Sequence, residues 1–193
     1  MDAVSAAENA GQEQEKKSSR FGGIGWVIAF VALAALLALV YFGLRNAQVG
    51  RIAIGDTVSD FTLTTFDGQQ INYSDLQGKV VVLNFWASWC KPCEQEAVDL
   101  ETAWRQYQPG GEVVFLGVDY VDTEPDALRY LEKFEITYPN GPDLGTRISQ
   151  QFGLRGVPET YFLDRSGKLA DFQIGPFSSL AQIKAKIDPL LNE

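Results

Sequence analysis

The chain has 193 residues, of which 46% are hydrophobic and 21% are charged, and it contains two cysteines and no histidine. Without histidine, there can be no Ser-His-Asp or Cys-His catalysis, no His-ligated zinc and no C-x-x-C-H haem attachment within the chain. Two cysteines are too few for a four-thiolate metal site or a disulfide framework. The net charge of −9 has the wrong sign for a phosphate-binding surface and argues against nucleic acid as a partner.

The first predicted element is a membrane-spanning helix over residues 21–44, a run of 24 residues without a charge. At helical rise it spans about 36 Å, enough for a hydrocarbon core of about 30 Å. Trp26 and Tyr41 lie near its two ends, where interfacial aromatic residues are common. A buried core helix would need a polar stripe, and a cleaved signal peptide would need a better small-residue site than the one after Leu44. We therefore predict an uncleaved membrane anchor.

The charges around this anchor predict its orientation. Three bases precede it and two follow it, namely Lys16, Lys17 and Arg20, then Arg45 and Arg51. By the positive-inside rule the N-terminus is cytoplasmic and the rest of the chain is extracytoplasmic. Residues 1–20 lack an apolar set that could pack, so they are predicted to form a disordered tail. Residues 45–54 are predicted to be a linker to a globular domain of residues 55–193.

Periodicity and turn residues divide this domain into strands and helices. A β-hairpin is predicted around Asp67-Gly68, and the apolar run Val80–Trp86 is typical of a strand buried on both faces. The other elements are predicted, in chain order, as a helix over 93–107, a strand over 113–118, helices over 123–134 and 144–152, a hairpin of strands over 160–163 and 169–174, and a helix over 178–191. This order predicts a three-layer α/β fold around a mixed sheet.

The two cysteines, Cys90 and Cys93, directly follow the buried strand, at the start of the predicted helix. The amide groups and dipole of a helix N-terminus stabilise a thiolate, and Lys91 adds a positive charge beside it. We predict a redox-active disulfide, with Cys90 as the exposed nucleophile and Cys93 as the shielded thiol that resolves the mixed disulfide. Two alternatives are a structural disulfide, which would stabilise so short a loop by only about 2 kcal/mol, and a two-coordinate Cu(I) site.

Residues 82–93, VLNFWASWCKPC, resemble the active-site segment of thioredoxin-like proteins. More narrowly, residues 52–193 are similar to the membrane-anchored thiol–disulfide oxidoreductases of the ResA, TlpA and CcmG (DsbE) group. The likeness includes the segment 55–63, which lacks the group's usual proline, and residues 74–79 before the buried strand. It also includes residues 156–160, Gly-Val-Pro-Glu-Thr, which are similar to the loop that carries the family's cis-proline. The resemblance implies a thioredoxin-like fold with an N-terminal β-hairpin and no cofactor or metal.

The resemblance also implies roles for residues around the dithiol. Pro158 is expected to be cis and to face the cysteines, and the backbone of Val157 to pair with an extended substrate. Glu96, three residues after Cys93, is expected to serve proton transfer to the buried thiol. The alternative for Glu96 is an acid that complements the helix N-terminus. Glu159 resembles the substrate-binding acid that follows the proline in the CcmG type, with an exposed residue at a strand start as the alternative.

Three further positions bear on the site. Thioredoxin has a buried aspartate where this chain has Asn84, so Asn84 cannot be the proton acceptor. Trp89 is predicted to line the substrate-binding surface and to shield Cys90 sterically, without a chemical role. Val98 stands where the group often has proline, so we expect a helix without the kink that a proline produces.

These features predict an enzyme, a membrane-tethered thiol–disulfide oxidoreductase that reduces disulfides of extracytoplasmic proteins. The resemblance implies apocytochrome c as a substrate, cytochrome c maturation as the process, and a membrane electron donor. No particular residue of the sequence indicates these three. A disulfide-forming oxidant is one alternative, and only the reduction potential separates the two. A non-enzymatic Cu(I)-binding module that uses the same thiols is another. A peroxidase is disfavoured because Ala87 stands three residues before Cys90, where peroxiredoxins have threonine or serine.

Overall fold

The structure is a computed structural model that describes residues 21–47 and 50–192, so the predicted disordered tail of residues 1–20 lies outside the described residues. The described residues fall into two compact units, residues 21–47 and 50–192. In the first unit, helix α1 (Phe21–Ala47) contains the apolar stretch Gly25–Phe42, which is long and apolar enough to cross a membrane. The helix continues past the predicted end at Leu44.

The second unit contains every predicted strand and helix, and one strand more. The strands are β1 (Thr62–Thr64), β2 (Gln70–Asn72), β3 (Val80–Trp86), β4 (Val113–Asp119), β5 (Asn140–Pro142), β6 (Glu159–Leu163) and β7 (Leu169–Ile174). The helices are α2 (Lys91–Tyr107), α3 (Glu124–Lys133), α4 (Arg147–Phe152) and α5 (Leu180–Leu191). β1 and β2 form the predicted hairpin, and the other strands form one sheet in the order β5-β4-β3-β6-β7. This sheet is mixed, because β3, β4 and β5 are parallel while β6 is antiparallel to β3 and β7.

Side chains of the central strands alternate between two apolar layers, as the pleat of a strand requires. On one face of the sheet, Leu83 and Phe85 lie in a core with Phe152 of α4 and Leu63 of the hairpin. On the other face, Val80 and Val82 pack against α2 and α5. The inward residues of these two helices are Leu100, Ala103, Trp104, Ile183, Ile187 and Leu190. Helical layers on both faces of the sheet give the predicted three-layer, thioredoxin-like fold.

The helix predicted over residues 144–152 is shorter in the structure, where α4 contains only six residues. Thr146, directly before it, has a left-handed backbone conformation with φ 51°, which a continuous helix cannot include. The Asp143 carboxylate accepts hydrogen bonds from the amides of Ile148 and Ser149 at 3.3 and 2.8 Å. These bonds satisfy amide groups that have no partner within the helix.

Strand β5 was not expected, because Asn140-Gly141-Pro142 contains none of the β-branched or aromatic residues that favour strands. It forms because it pairs with β4 on one side and meets the hairpin on the other. The amide of Phe66 donates to the carbonyl of Asn140 at 2.9 Å. A Cβ added at Gly141 would lie 2.2 Å from the carbonyl oxygen of Thr64, so only glycine permits this approach.

Arg51 and Ile52, within the predicted linker of residues 45–54, pack on the globular unit, whereas Ala53 and Ile54 are exposed. The amide of Ile52 donates to the carbonyl of Phe152 at 3.4 Å, and Ile52 packs against the core beneath α4. Directly after them, the amide of Gly55 donates to the carbonyl of Leu169 at 2.7 Å. Contacts with the rest of the globular unit are therefore already present at Arg51 and Ile52.

Candidate active site

Cys90 and Cys93 are joined by a disulfide, with an S–S distance of 2.07 Å and a Cα–Cα distance of 5.3 Å. The pair lies where the chain leaves β3 and enters α2. Cys90 is the N-cap of α2, and its Sγ accepts a hydrogen bond from the Cys93 amide at 3.2 Å. Pro92 in the first turn has no amide hydrogen to leave unsatisfied. The unpaired amides and dipole of this helix end will stabilise a thiolate at Cys90 once the disulfide is reduced.

Both cysteines are buried in this disulfide form, with exposed fractions of 3% for Cys90 and 1% for Cys93. The expectation of an exposed Cys90 is therefore wrong for the oxidised protein. The two cysteines lie in an apolar cluster with Trp86 of β3, Ala97 of α2, and Ala127 and Tyr130 of α3. Trp89, in contrast, is 57% exposed and gives the surface next to the dithiol an aromatic side chain.

The turn that carries the dithiol is held by the loop after β4. The amide of Ser88 donates to Oδ2 of Asp122 at 2.6 Å, and the indole Nε1 of Trp89 donates to the carbonyl of Val121 at 3.3 Å. Asp119 is buried at the end of β4, where burial and the Asp122 carboxylate raise its pKa to about 8. Neither Asp119 nor Asp122 was predicted to belong to the site, because no local sequence pattern distinguishes them from surface acids. The one indication in the sequence is that Asp119 lies at the end of an apolar strand.

The base of the same turn is fixed by a buried hydrogen bond across the sheet. Nε1 of Trp86 donates to Oδ1 of Asn140 at 2.8 Å. Gly117 makes room for this contact, since a Cβ added there would lie 1.6 Å from the same Asn140 oxygen. Trp86 also stacks on Tyr130 of α3, with 4.4 Å between the ring centroids. The strand end next to Cys90 is therefore rigidly placed.

Glu96, three residues after Cys93 on α2, is buried, with only 1% of its surface exposed. Its Oε1 accepts a hydrogen bond from Nδ2 of Asn84 at 3.0 Å, and its Oε2 accepts one from the amide of Phe177 at 2.9 Å. Burial raises the pKa of Glu96 to about 7, although both hydrogen bonds oppose the shift. The alternative of an acid that complements the helix N-terminus is wrong. Glu94 fits that description instead, because it lies in the first turn of α2. It is also more exposed and pairs with Lys91 and Lys133.

The Val157–Pro158 peptide bond is cis, as the resemblance implies. Val157 packs against the cluster that contains both cysteines, so this loop and the dithiol are adjacent. The carbonyl of Pro158 accepts a hydrogen bond from the amide of Gly175 at 2.9 Å. Within residues 50–192, the amide and carbonyl of Val157 form no backbone hydrogen bond, so both can pair with another chain.

Glu159 is buried, so the alternative of an exposed residue at a strand start is wrong. Its Oε1 pairs with Nη2 of Arg51 at 2.6 Å, and its Oε2 accepts a hydrogen bond from the hydroxyl of Tyr161 at 2.6 Å. It stands opposite Phe85 in the β3–β6 register, on the sheet face away from α2 and Glu96. The carboxylate is therefore engaged within the domain. Its backbone is also engaged, because Glu159 lies in β6 between Phe85 of β3 and Ile174 of β7. A substrate contact by Glu159 stays a prediction.

Among the described residues 21–47 and 50–192, no group of three or more cysteine, aspartate or glutamate side chains is arranged to hold a metal ion. The Cu(I) alternative would depend on the two cysteine sulfurs alone, after reduction of the disulfide.

The sequence matches the AhpC/TSA family over residues 54–172. It is 32% identical over 143 residues to the thiol-disulfide oxidoreductase ResA of Geobacillus thermodenitrificans, a match that covers 74% of this chain and 81% of that protein. The match to Bacillus cereus ResA has 30% identity over 149 residues and covers 77% of this chain and 86% of that one. A DsbE-type thiol:disulfide interchange protein from Chlorobium tepidum has a similar structure, with a TM-score of 0.67, 26% identity, and coverage of 72% of this chain and 99% of that one.

The fold and the Cys90–Cys93 disulfide define a thioredoxin-like thiol–disulfide oxidoreductase. The chain belongs to the AhpC/TSA family, and its relatives place it with the ResA and DsbE type of enzyme.

Proposed function

We propose that this chain is a membrane-tethered reductase of disulfides in extracytoplasmic proteins. The observation that carries the proposal is the Cys90–Cys93 disulfide at the N-terminus of α2, with Glu96 buried three residues further along the same helix. This arrangement combines a nucleophile stabilised by a helix end, a second thiol to release the product, and a group that can accept a proton near neutral pH.

Reduction proceeds by two exchanges. The Cys90 thiolate attacks one sulfur of the substrate disulfide, so that a mixed disulfide forms and the other substrate sulfur leaves as a thiolate and takes up a proton. Cys93 then loses its proton and attacks Sγ of Cys90. The substrate leaves with its second sulfur reduced, and the enzyme keeps the Cys90–Cys93 disulfide. Two electrons have passed to the substrate, and a membrane electron donor must restore the dithiol.

Glu96 is the proposed acceptor of the Cys93 proton. It lies three residues along α2 from Cys93, on nearly the same helix face. Asn84 and the amide of Phe177 hold both of its oxygens, which limits the orientations of the carboxyl. With a pKa of about 7, Glu96 is ionised in part of the molecules at neutral pH and can take up a proton as the mixed disulfide resolves.

The proposed substrate-binding surface consists of Trp89 and the Val157-Pro158 backbone. An extended segment of substrate adds to the free backbone of Val157 by β-augmentation, which holds its disulfide against the Cys90 sulfur. The exposed indole of Trp89 supplies apolar contact beside it. Recognition through the backbone suits protein substrates of varied sequence.

The location and the partner are also part of the proposal. The apolar helix α1 supports a membrane tether, and the bases before it support a cytoplasmic N-terminus with the redox domain outside. Apocytochrome c as a substrate, and thus a role in cytochrome c maturation, is supported by the resemblance to the ResA, TlpA and CcmG group.

The proposed roles of the two cysteines can be tested by trapping. In the full chain, Cys93→Ser removes the resolving thiol, so mixed disulfides between Cys90 and partner proteins should accumulate. Cys90→Ser should trap few, because the remaining thiol lies inside the first turn of α2, behind the N-cap position that Cys90 occupies. The measurement is non-reducing electrophoresis after acid quenching and alkylation, with the double serine variant as the control. More adducts with Cys90→Ser would reverse the roles, and no adducts with either variant would contradict the proposed function.

A further inference from the structure

Arg51 follows α1 by four residues, yet its side chain is partly buried against the redox domain. Its Nη2 lies 2.6 Å from Oε1 of Glu159, and the side chain is 15% exposed. The guanidinium carbon lies 5.3 Å from the ring centroid of Phe172 on β7, a cation–π arrangement. The backbone is also fixed, because a Cβ added at Gly153 would lie 2.6 Å from the Cα of Arg51.

The partner of Arg51 closes the loop that contains the cis-proline. Oε1 of Glu159 accepts a second hydrogen bond, from the amide of Arg155 at 3.3 Å, so the carboxylate connects the two ends of the loop 155–159. At its C-terminal end the loop is also held by backbone, because the carbonyl of Pro158 accepts from the amide of Gly175 and Glu159 pairs in the sheet with Phe85 and Ile174. On the other side of Val157, the hydrogen bond of the Arg155 amide depends on where the Glu159 carboxylate is held.

The carboxylate is held in place by charge. Removing one member of a buried ion pair leaves the other charge without compensation in a desolvated place. Without Arg51, the Glu159 carboxylate would retain only the neutral donors Tyr161 and the Arg155 amide. The Glu159 carboxylate would then gain hydration by turning toward water. The Arg155 amide would in that case lose its hydrogen-bond acceptor. The loop would be free to leave the conformation that presents Val157.

We propose that Arg51 is a positioning residue for substrate binding. Its ion pair with Glu159 holds the Val157-Pro158 backbone in the conformation that pairs with an extended substrate. The inference rests on the proposed function, because that function assigns the substrate to this loop. It gives the segment next to the membrane helix a role in recognition in addition to its role as a connection.

The test compares variants of the full chain in detergent micelles. Arg51→Met removes the charge and keeps the length of the side chain, Arg51→Lys restores a cation, and Arg51→Met with Glu159→Gln removes both charges. Arg165→Met is the matched control, because Arg165 pairs with Glu112 and the carbonyl of Leu191, away from the loop. Each variant is assayed with a short peptide that contains one intramolecular disulfide and with dithiobis(nitrobenzoate), a small disulfide that has no backbone to pair with Val157.

We expect Arg51→Met to raise the KM for the peptide about tenfold, and to change the rate with the small disulfide by less than about twofold. Arg51→Lys should recover most of the loss, and the double variant should have a KM between those of wild type and Arg51→Met. Arg165→Met should resemble wild type with both substrates. This split between substrates separates positioning from general destabilisation, which would lower both activities together.

Two results would overturn the inference: an unchanged KM for the peptide in folded Arg51→Met, or parallel loss of both activities. Circular dichroism shows whether Arg51→Met folds. If it does not, the KM of the double variant tests the inference, because that variant contains no unpaired charge at this site. An unchanged KM in the double variant would also overturn the inference. A wild-type chain that exchanges with neither substrate would instead refute the proposed function itself.

Discussion

At the scale of single residues, Glu96 owes its properties to partners that are distant in sequence. The amide of Asn84 comes from β3, and the amide of Phe177 comes from the turn before α5. Together with the surrounding apolar side chains they bury the carboxyl and keep it hydrogen-bonded. Glu94, two residues earlier on the same helix, instead lies near solvent between two lysines.

Because burial raises the pKa of Glu96 from 4.5 to about 7, the stability of the oxidised protein should depend on pH. Between these values the folded protein holds a proton that the unfolded chain has lost. The free energy of unfolding should therefore decrease as the pH rises through this window, by about 3 kcal/mol. Glu96→Gln cannot titrate and should lack this decrease. Urea unfolding of the full chain in micelles, followed by near-ultraviolet circular dichroism from pH 4.5 to 7.5, measures the difference.

Glu94→Gln is the control for this experiment and should keep the wild-type pH dependence. Asp119, whose pKa is also raised, contributes a decrease of the same sign to every variant. The contribution of Glu96 is therefore the difference between wild type and Glu96→Gln in the free energy of unfolding as a function of pH. Parallel curves for wild type and Glu96→Gln would show that the carboxyl does not titrate in this range.

The reduction potential should be low, because the Cys90 thiolate is only moderately stabilised. The helix end favours it, but Lys91 is exposed and pairs with Glu94, and the chain has no histidine. A strong oxidant such as DsbA needs a first thiol with a pKa of about 3.5 and has a potential of about −120 mV. We expect a value near that of thioredoxin, about −270 mV. Redox titration against dithiothreitol measures it, and a value above about −180 mV would support the disulfide-forming function.

The candidate site could be predicted from sequence where neighbouring residues define it. Cys90, Cys93 and Pro158 are recognisable because short spacings and flanking residues carry the signal. The environment of Glu159 could not be predicted, because its ion-pair partner Arg51 is 108 positions away. Nothing near either residue indicates the other, and only the closed fold brings them together.

At the scale of elements, α2 both presents the dithiol and anchors it to the sheet. It runs from Lys91 to Tyr107 without interruption, in agreement with the absence of proline at Val98. Its buried residues form a stripe that faces β3 and β4. The position of the cysteines therefore depends on how this stripe packs.

Leu100→Ala should destabilise the redox domain by about 2–5 kcal/mol, because it removes buried methyl groups and leaves a cavity between α2 and the sheet. Leu100 is 2% exposed. Val98→Ala, on the same helix but 58% exposed, is the matched control and should change the free energy of unfolding by less than about 0.5 kcal/mol. Urea unfolding of both variants measures the two changes, and equal effects would contradict the packing described.

Strand β5 shows which elements the sequence could not indicate. The apolar strands β3 and β4 carry their own pattern and were predicted almost to the residue. Asn140-Gly141-Pro142 has no such pattern and becomes a strand through β4 and the hairpin. Likewise, the start of α4 is decided by Asp143 and by the backbone of Thr146, which local periodicity does not reveal.

At the scale of the whole molecule, an apolar helix and an acidic redox domain share one chain. The domain carries the net negative charge, and the bases before the helix favour a cytoplasmic N-terminus. The proposed reduction of extracytoplasmic disulfides requires the redox domain to lie on the opposite side of the membrane. Surroundings there are more oxidising than the cytoplasm, so the proposal includes an electron donor in the membrane.

Reporter fusions test this topology. Alkaline phosphatase fused after Asn192 should be active, because it needs disulfides that form outside the cytoplasm, and a reporter that works only in the cytoplasm should be inactive there. The same two reporters fused before Met1, which leaves Lys16, Lys17 and Arg20 in place, provide the control and should give the opposite pattern. Activity of only the cytoplasmic reporter after Asn192 would place the redox domain inside the cell.

The contact of Gly117 with Asn140 also constrains how this protein can change over evolutionary time. Any side chain at Gly117 would occupy the place of the Asn140 amide, and any loss of that amide would leave the Trp86 indole without its acceptor. A mutation at one of these three positions therefore creates a defect that a second mutation among them must repair. Lineages that descend from this sequence should keep the three residues together or replace them together, whereas exposed neighbours on the same elements are free to drift one at a time.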